Sequence, residues 1–519
     1  MTDERLVLAI DCSTTGAKAV LFDAGGAAVA SASAPLAMQR PRPGWHEQDA
    51  PDWWTATRAA IRGLEPALRA RAAAICITHQ RESFACLDRS GDPVRPAVLW
   101  LDSRAVAEIA ELGSPRVHAL SGKPPDVTPA LYKLAWLDRH EPQALHRATT
   151  VTEVHGYLVH RLTGDWVTST GSADSLGLLD LRAGDWSAEL LALGGVRPDQ
   201  VPRLVPPGEV IGHVIPSVAT DLGLPSELAV VAGIGDGQAA GLGVGVNLGD
   251  RSGAAYLNLG TSMVLGVPTA GYLTGREFRT MAGFPSGSYV LETILNAAAY
   301  LADWFRRELG DPARGVRPDP ELEAAAAALP PGADGLLTLP YWNCAQTPYW
   351  DGDARGAMVG WHGGHTRAHA YRSLLEGVAF ELRLHLEGLE TASGTTVSVL
   401  RTIGGGSRSP AWTQIIADVT RRPVQLPAGS AAGLAGSTTG LDRTDASEAQ
   451  PDGDAQISAR GAAVLGWAAL GVTMGPLPGG FRQVEPRPDA AQRYDALYAV
   501  QRLLYPSLRE VFAGLAALG

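Results

Sequence analysis

Basic residues are in deficit: 43 Lys and Arg face 54 Asp and Glu, a formal net charge of −11, and no basic tract interrupts the chain. Neither nucleic acid nor an anionic membrane surface is therefore an expected partner. Cysteine is scarce, with Cys12, Cys76, Cys86 and Cys344 scattered and no Cys-x-x-Cys pair among them. That spacing offers neither a zinc site nor a disulfide framework, and it fits a reducing cytoplasm. Long apolar runs are missing too. None approaches the ~18 residues that a membrane span requires, and the run after Met-Thr-Asp-Glu-Arg is too short for a signal sequence. No Gly-x-x-x-x-Gly-Lys-Ser/Thr occurs, which excludes a P-loop.

What is present is ordinary globular material, 45% apolar and 19% charged over 519 residues. A chain of this length exceeds one hydrophobic core, so two domains of roughly 250 residues each are expected. The most informative stretch is Leu6 to Asp23. An apolar run of strand length ends at Asp11, a Ser13-Thr14-Thr15-Gly16 turn follows, and a β-prone run from Ala17 to Phe22 leads away. Such a hairpin tip presents backbone N–H groups, hydroxyls and the cation of Lys18 to one point, as an anionic phosphate requires. Asp11 at the strand end is placed to hold Mg²⁺ through water.

The same plan recurs about 250 residues later, where Ala254 to Leu259, the turn Gly260-Thr261-Ser262 and Met263 to Val267 repeat strand, polar tip, strand. A third glycine turn, Gly404-Gly405-Gly406-Ser407, follows the strand pattern Val397 to Ile403. Between them, Leu228 to Ala232 reads as a buried strand running into Gly233-Ile234-Gly235-Asp236-Gly237-Gln238, glycines that let backbone approach something closely. Asp11 and Asp236 stand beside such turns with no Arg or Lys adjacent in sequence. One carboxylate that organises a metal and one that accepts a proton would suit phosphoryl transfer.

Elsewhere, Pro51 to Leu68 and Arg367 to Leu389 carry helical spacing, as does Tyr289 to Leu309. Ala97 to Arg104 reads as a strand ending in polar groups, and the chain closes on a helix or helix pair from Arg493 to Leu518. Residues 428–456 lack periodicity and read as a surface insertion.

Taken together, these segments resemble the FGGY carbohydrate kinases of the sugar kinase, Hsp70 and actin superfamily, over nearly the whole chain. The carrying motifs are Asp11-Cys12-Ser13-Thr14-Thr15-Gly16-Ala17-Lys18, Gly235-Asp236-Gly237-Gln238-Ala239-Ala240-Gly241, Asn258-Leu259-Gly260-Thr261-Ser262, Gly404-Gly405-Gly406-Ser407-Arg408-Ser409-Pro410-Ala411-Trp412, and Ala417-Asp418 before Arg422-Pro423-Val424. The resemblance implies an α/β fold of two ribonuclease-H-like domains, 1–247 and 248–519, around a catalytic cleft. It implies ATP and Mg²⁺, with Thr14, Thr15 and Lys18 facing the terminal phosphates from one side and Gly260 and Thr261 from the other. Gly405, Gly406 and Ser409 would lie against the adenosine. Asp11 and Asp236 would attend the metal, and Asp236 would be the general base.

On the acceptor side, His79-Gln80-Arg81-Glu82-Ser83 is similar to the Asn-Gln-Arg-Glu-Thr of glycerol kinases, and Trp100-Leu101-Asp102 to their Trp-Gln-Asp. Arg81, Glu82, Trp100, Asp102, Asp236 and Gln238 are the expected substrate contacts, with Glu153 and His155 as further candidates. Xylulose kinases, which the opening motif resembles more closely, carry Gln-Met-His where this chain has Gln80-Arg81-Glu82. Glycerol kinases have a Tyr near the position of Thr128, ahead of a Lys resembling Lys133, and the common Gly-Glu-Arg is Cys344-Ala345-Gln346 here. The expected function is ATP-dependent phosphorylation of a small sugar or polyol, a ketopentose such as xylulose or alternatively glycerol, by a cytoplasmic enzyme that forms a homodimer. A sugar-binding regulator or a chaperone-like ATPase of the same superfamily is the reading from another class.

Overall fold

The computed structural model describes residues 4–311, 319–428 and 455–518, so residues 429–454 of the insertion expected at 428–456 lie outside the described residues, and its last two residues begin a helix. Two mixed sheets organise the rest. The first has the order Val210–His213 (β5), Ala229–Gly235 (β6), Ala72–His79 (β4), Leu6–Cys12 (β1), Gly16–Phe22 (β2) and Ala28–Pro35 (β3). The second runs Arg279–Ala282 (β9), Tyr289–Leu295 (β10), Met263–Thr269 (β8), Ala254–Leu259 (β7), Val399–Ile403 (β11), Val424–Pro427 (β12) and Phe481–Val484 (β13).

The duplication read in the turns extends to topology. β1 pairs antiparallel with β2 and parallel with β4, and β7 pairs antiparallel with β8 and parallel with β11. Each sheet is thus a meander that opens onto parallel strands, and the parallel strands bring their C-terminal ends to one edge, where open α/β sheets gather ligands. β1 is buried at every position, because both faces of the first sheet are covered. On one face lie the helices Ala50–Arg62 (α1) and Val154–Thr163 (α2), which bring Trp53 and Tyr157 into contact edge to face at 5.7 Å.

The other face is covered from two distant parts of the chain. The helix Asp236–Gly243 (α3) and the late helix Ala455–Ala469 (α7) pack Ala239, Leu242, Ala459, Ala462, Leu465 and Trp467 against Val7, Ala9, Val20 and Cys76. These helices meet backbone to backbone: a Cβ on Gly243 would lie 2.1 Å from the Ile457 carbonyl oxygen, and one on Gly461 would lie 1.9 Å from that of Ala239. The second half of the chain therefore supplies part of the core beneath the first sheet.

Three local expectations change. Tyr289 to Leu309 is not one helix but β10 followed, after a short turn, by the helix Ala299–Leu309 (α4). Its apolar spacing satisfied a helical template although the first half is a strand paired on both edges. Ala97 to Arg104 keeps only Ala97–Val98 as strand. The first helix ends at Arg62, where Gly63 and Pro66 break it before the short turn Pro66–Arg69. By contrast, the C-terminal segment is a single helix, Pro488–Ala516 (α8).

Arg367–Ser393 (α5) backs the second sheet and stops at Gly394, whose φ of 68° is left-handed. It carries a buried acid, Glu381, bonded by the Tyr341 hydroxyl at 2.7 Å. Burial, only partly opposed by that bond, pushes the Glu381 carboxyl up to about 7. A folded-state pKa above the unfolded value means stability present below the unfolded pKa and lost as pH rises through 7. Glu381→Gln should therefore be more stable than the parent at pH 8, by up to about 3 kcal/mol, and indistinguishable from it near pH 4.5. Denaturant titrations at the two pH values check this.

Candidate active site

β1 and β6 flank β4 as parallel neighbours, with Asp11 level with Thr78 and Gly235 level with His79. Asp11 and Asp236 consequently leave the same sheet edge two strand spacings apart, about 10 Å. Asp11 is buried, and its Oδ1 makes no hydrogen bond. Burial, then the charge of Asp236, push its carboxyl up to about 7 against the opposing pull of Lys18. Lys18 lies directly across the hairpin from it. An orphaned carboxylate oxygen with a second carboxylate nearby is an all-oxygen donor pair of the kind that suits a hard cation such as Mg²⁺. No cluster of three or more such ligands exists among the described residues. The pair thus matches an ion completed by waters and phosphate oxygens rather than a closed protein cage.

On the phosphate side, the Ser13–Gly16 turn closes by a Ser13 N–H bond to the Gly16 carbonyl at 2.9 Å. Thr14 donates to Gln80 Oε1 and accepts from Trp100 Nε1, both at 3.0 Å. Gln48 donates to the Thr14 carbonyl at 2.7 Å and accepts from Trp53 and Gln80. The hairpin tip is thus anchored to the acceptor loop through a buried amide chain, while Thr15 stays exposed. Across on the second sheet, Gly260 and Thr261 turn between β7 and β8, their carbonyls capping the start of α4. Gly404, at φ 94°, lies against this turn so closely that a Cβ would sit 2.7 Å from the Gly260 nitrogen. Gly405 and Gly406 continue from it, and Ser409 caps the helix Pro410–Thr420 (α6) through Trp412 N–H while donating to Glu323 at 3.0 Å.

Arg81 dominates the surroundings of Asp236. Its Nε lies 3.1 Å from Asp236 Oδ1, and its Nη1 donates to Gln238 Oε1 at 3.1 Å and to Glu292 Oε2 at 2.8 Å. The glycines around Asp236 make room for it: a Cβ on Gly235 would lie 2.5 Å from Arg81 Cδ, and one on Gly237 would lie 2.7 Å from Nη2. What the backbone approaches closely here is a side chain of the protein itself. Burial raises the Asp236 pKa and the Arg81 charge opposes that rise. Asp236 still leaves 42% of its side chain open to the cleft. Glu82 sits at φ 59° and takes a bond from Arg279 at 3.0 Å.

Trp100 is fixed by Ser83 Oγ, which accepts its backbone N–H, and by buried Lys133, whose Nζ donates to the Leu99 and Trp100 carbonyls at 3.1 Å. Asp102 is fully buried, with its oxygens taken by Arg104 and by the His46 N–H. Glu153 and His155 lie inside the domain, where Glu153 caps α2 through Gly156 N–H and His155 Nε2 accepts from Gly233 N–H.

Sequence reasoning missed Glu292, Arg279, Tyr256, Lys123 and Asp174. Arg279 and Glu292 face each other in register on β9 and β10, whose other residues are apolar, Tyr or Thr. A lone charge in each of two consecutive β-prone runs is the available signal, and the helical spacing of Tyr289 to Leu309 hides it. Lys123 lies 3.7 Å from Asp174 and donates to the Thr280 carbonyl.

Two sheets of one topology, glycine turns at their C-terminal edges and a half-open carboxylate beside a buried Arg define a cleft for phosphoryl transfer. The comparisons agree: residues 6–243 match the N-terminal domain and residues 255–439 the C-terminal domain of the FGGY family of carbohydrate kinases, and the chain belongs to that family. It is an ATP-dependent carbohydrate kinase. It is 31% identical over 441 residues to the xylulose kinase of Escherichia coli, covering 83% of this chain and 88% of that one. It is 32% identical over 469 residues to the glycerol kinase of Bordetella parapertussis, covering 85% and 90%. Among solved structures, the xylulose kinase of Rhodospirillum rubrum aligns with a TM-score of 0.81 at 31% identity, covering 98% and 100% of the two chains.

Gly237→Ala should displace the Arg81 guanidinium and raise the KM for the acceptor about tenfold or more, with ATP affinity unchanged. Steady-state kinetics with each substrate varied in turn check this.

Proposed function

We propose that the chain transfers the γ-phosphoryl group of ATP to a hydroxyl of xylulose, with Asp236 as general base. The carrying observation is Asp236 itself, open to the cleft at one end of Arg81 while Gln238 and Glu292 hold the other. Asp236 takes the proton from the acceptor hydroxyl, whose oxygen bonds to the γ-phosphorus as the bond to the β-phosphate oxygen breaks and ADP leaves. Thr14, Thr15 and Lys18 bind the terminal phosphates from the first sheet, and Gly260 and Thr261 from the second. Gly405, Gly406 and Ser409 border the adenosine, with Ser409 acting through the α6 cap. Arg81 orients the acceptor beside the base, Glu82 and Trp100 border it, and Asp102 holds the Trp100 turn through Arg104 and His46. Mg²⁺, held by Asp11 with Asp236 nearby, would neutralise charge developing on the phosphates.

Glycerol is the second reading, favoured by Gln80-Arg81-Glu82 where xylulose kinases carry Gln-Met-His. Domains of 1–247 and 248–519, a cytoplasmic setting and a homodimer complete the proposal. The four free cysteines suit that compartment, and exposed Leu503 and Leu515 on α8 offer the dimer apolar surface.

Asp236→Asn should lower kcat by about 10²–10⁴-fold while leaving ATP binding within a factor of two. A coupled ADP assay with xylulose and glycerol, beside nucleotide titration, checks this. Substantial turnover by the variant would remove Asp236 from the role of base.

A further inference from the structure

The charged groups around Arg81 come from both sheets, and their carboxylates outnumber their cations by one. Arg81, Glu82, Lys123 and Asp174 belong to the first half of the chain, and Arg279 and Glu292 to the second; all six are buried. Each cation already has a carboxylate. Arg81 holds Glu292 at 2.8 Å and Asp236 at 3.1 Å, Arg279 holds Glu82 and Glu292 each at 3.0 Å, and Lys123 stands 3.7 Å from Asp174. Three cations thus face four carboxylates, Glu82, Glu292, Asp174 and Asp236. No positive charge is left over.

Glu292 is the hub of this arrangement. It is wholly buried and accepts from Arg81, Arg279 and the Tyr256 hydroxyl. Burial alone would raise its pKa, yet the two guanidiniums hold it down to about 2, so it is a permanent anion. A buried guanidinium left without its counter-charge is a strong receptor for any carboxylate that can reach it.

We propose that Glu292 is a positioning residue that sets acceptor specificity: by occupying the Nη1 edge of Arg81, it reserves the site for a neutral polyhydroxylated acceptor and excludes a sugar acid. This rests on the kinase reading and narrows it. An aldonate carboxylate would add a further negative charge to a site already in surplus of them, and would have to displace Glu292 to find a partner. A ketose or polyol needs only single hydrogen bonds from Arg81 and Glu82, which both residues can make while keeping their ion pairs. Gly237 belongs to the same device, since a Cβ there would lie 2.9 Å from Glu292 Oε1.

The test compares kcat/KM for xylulose, glycerol and gluconate in the full-length parent and in Glu292→Gln and Glu292→Asp, with intrinsic tryptophan fluorescence following acceptor binding at Trp100. The parent should prefer a neutral acceptor over gluconate by at least about 100-fold, the scale of a buried mispaired charge. In Glu292→Gln that preference should fall at least tenfold, through both a higher KM for the neutral acceptor and measurable gluconate binding, and Glu292→Asp should restore it. A parent that phosphorylates gluconate as well as xylulose or glycerol overturns the inference and leaves the kinase reading standing. A folded Glu292→Gln enzyme with the parental preference overturns it too. Should Glu292→Gln not fold, the parental ratio and that of Glu292→Asp still decide. A parent inert toward all three overturns the xylulose and glycerol reading of the acceptor and this inference with it.

Discussion

One guanidinium holds the site together. Arg81 leaves the C-terminal end of β4, passes over Gly235 and Gly237, and spreads its nitrogens over Asp236 and Gln238 from the first half of the chain and Glu292 from the second. A charge buried to this depth is tolerated because Asp236 pairs its Nε and Glu292 its Nη1. Removing one partner of such a pair costs on the order of 3–5 kcal/mol, and the remaining groups would have to rearrange. The small residues around Asp236, the register of Arg279 against Glu292 and the placement of Tyr256 are all consequences of accommodating this ion.

The same interaction ties Asp236 to the state of the cleft. Asp236 belongs to the first sheet and Glu292 to the second, so Arg81 takes its full set of partners only when both sheets present their edges to each other. Further contacts follow the same line: the Asp174 carboxylate accepts from the Ala282 N–H at 2.7 Å, and the Gly122 carbonyl from the Thr280 N–H at 2.8 Å. Each joins the first half of the chain to β9. Preorganised charge of this kind favours phosphoryl transfer, in which alignment and neutralisation do most of the catalytic work.

Much of this was legible in the residues. The hairpin at Leu6 to Asp23, the turns at Gly260 and Gly404 and the strand before Asp236 are short-range patterns, set by local alternation and turn chemistry, and they stand where the spacing put them. The motifs singled out Asp236 and Trp100 as candidate site residues, but that Trp100 donates to Thr14 and so ties the hairpin tip to the loop after β4 required the fold. What the sequence hid is long-range. Nothing in the sequence of α7 indicates that this helix covers the first sheet, because small apolar residues suit any close helix packing. Glu292 is obscured by a period ambiguity, since a short apolar run broken by Glu292 and Thr293 fits strand and helix alike. Glycines 235 and 237 were recognised as a close approach, but that their occupant is Arg81 required the fold.

The central claim, that Arg81 and Glu292 act as one unit across the cleft, is tested most directly by a double-mutant cycle on kcat/KM with the neutral acceptor, using Arg81→Met, Glu292→Met and the pair. The account predicts strong non-additivity, a coupling of at least about 1.5 kcal/mol, with the double variant no worse than the worse single one. Additive losses would contradict it and reduce Glu292 to an independent packing residue.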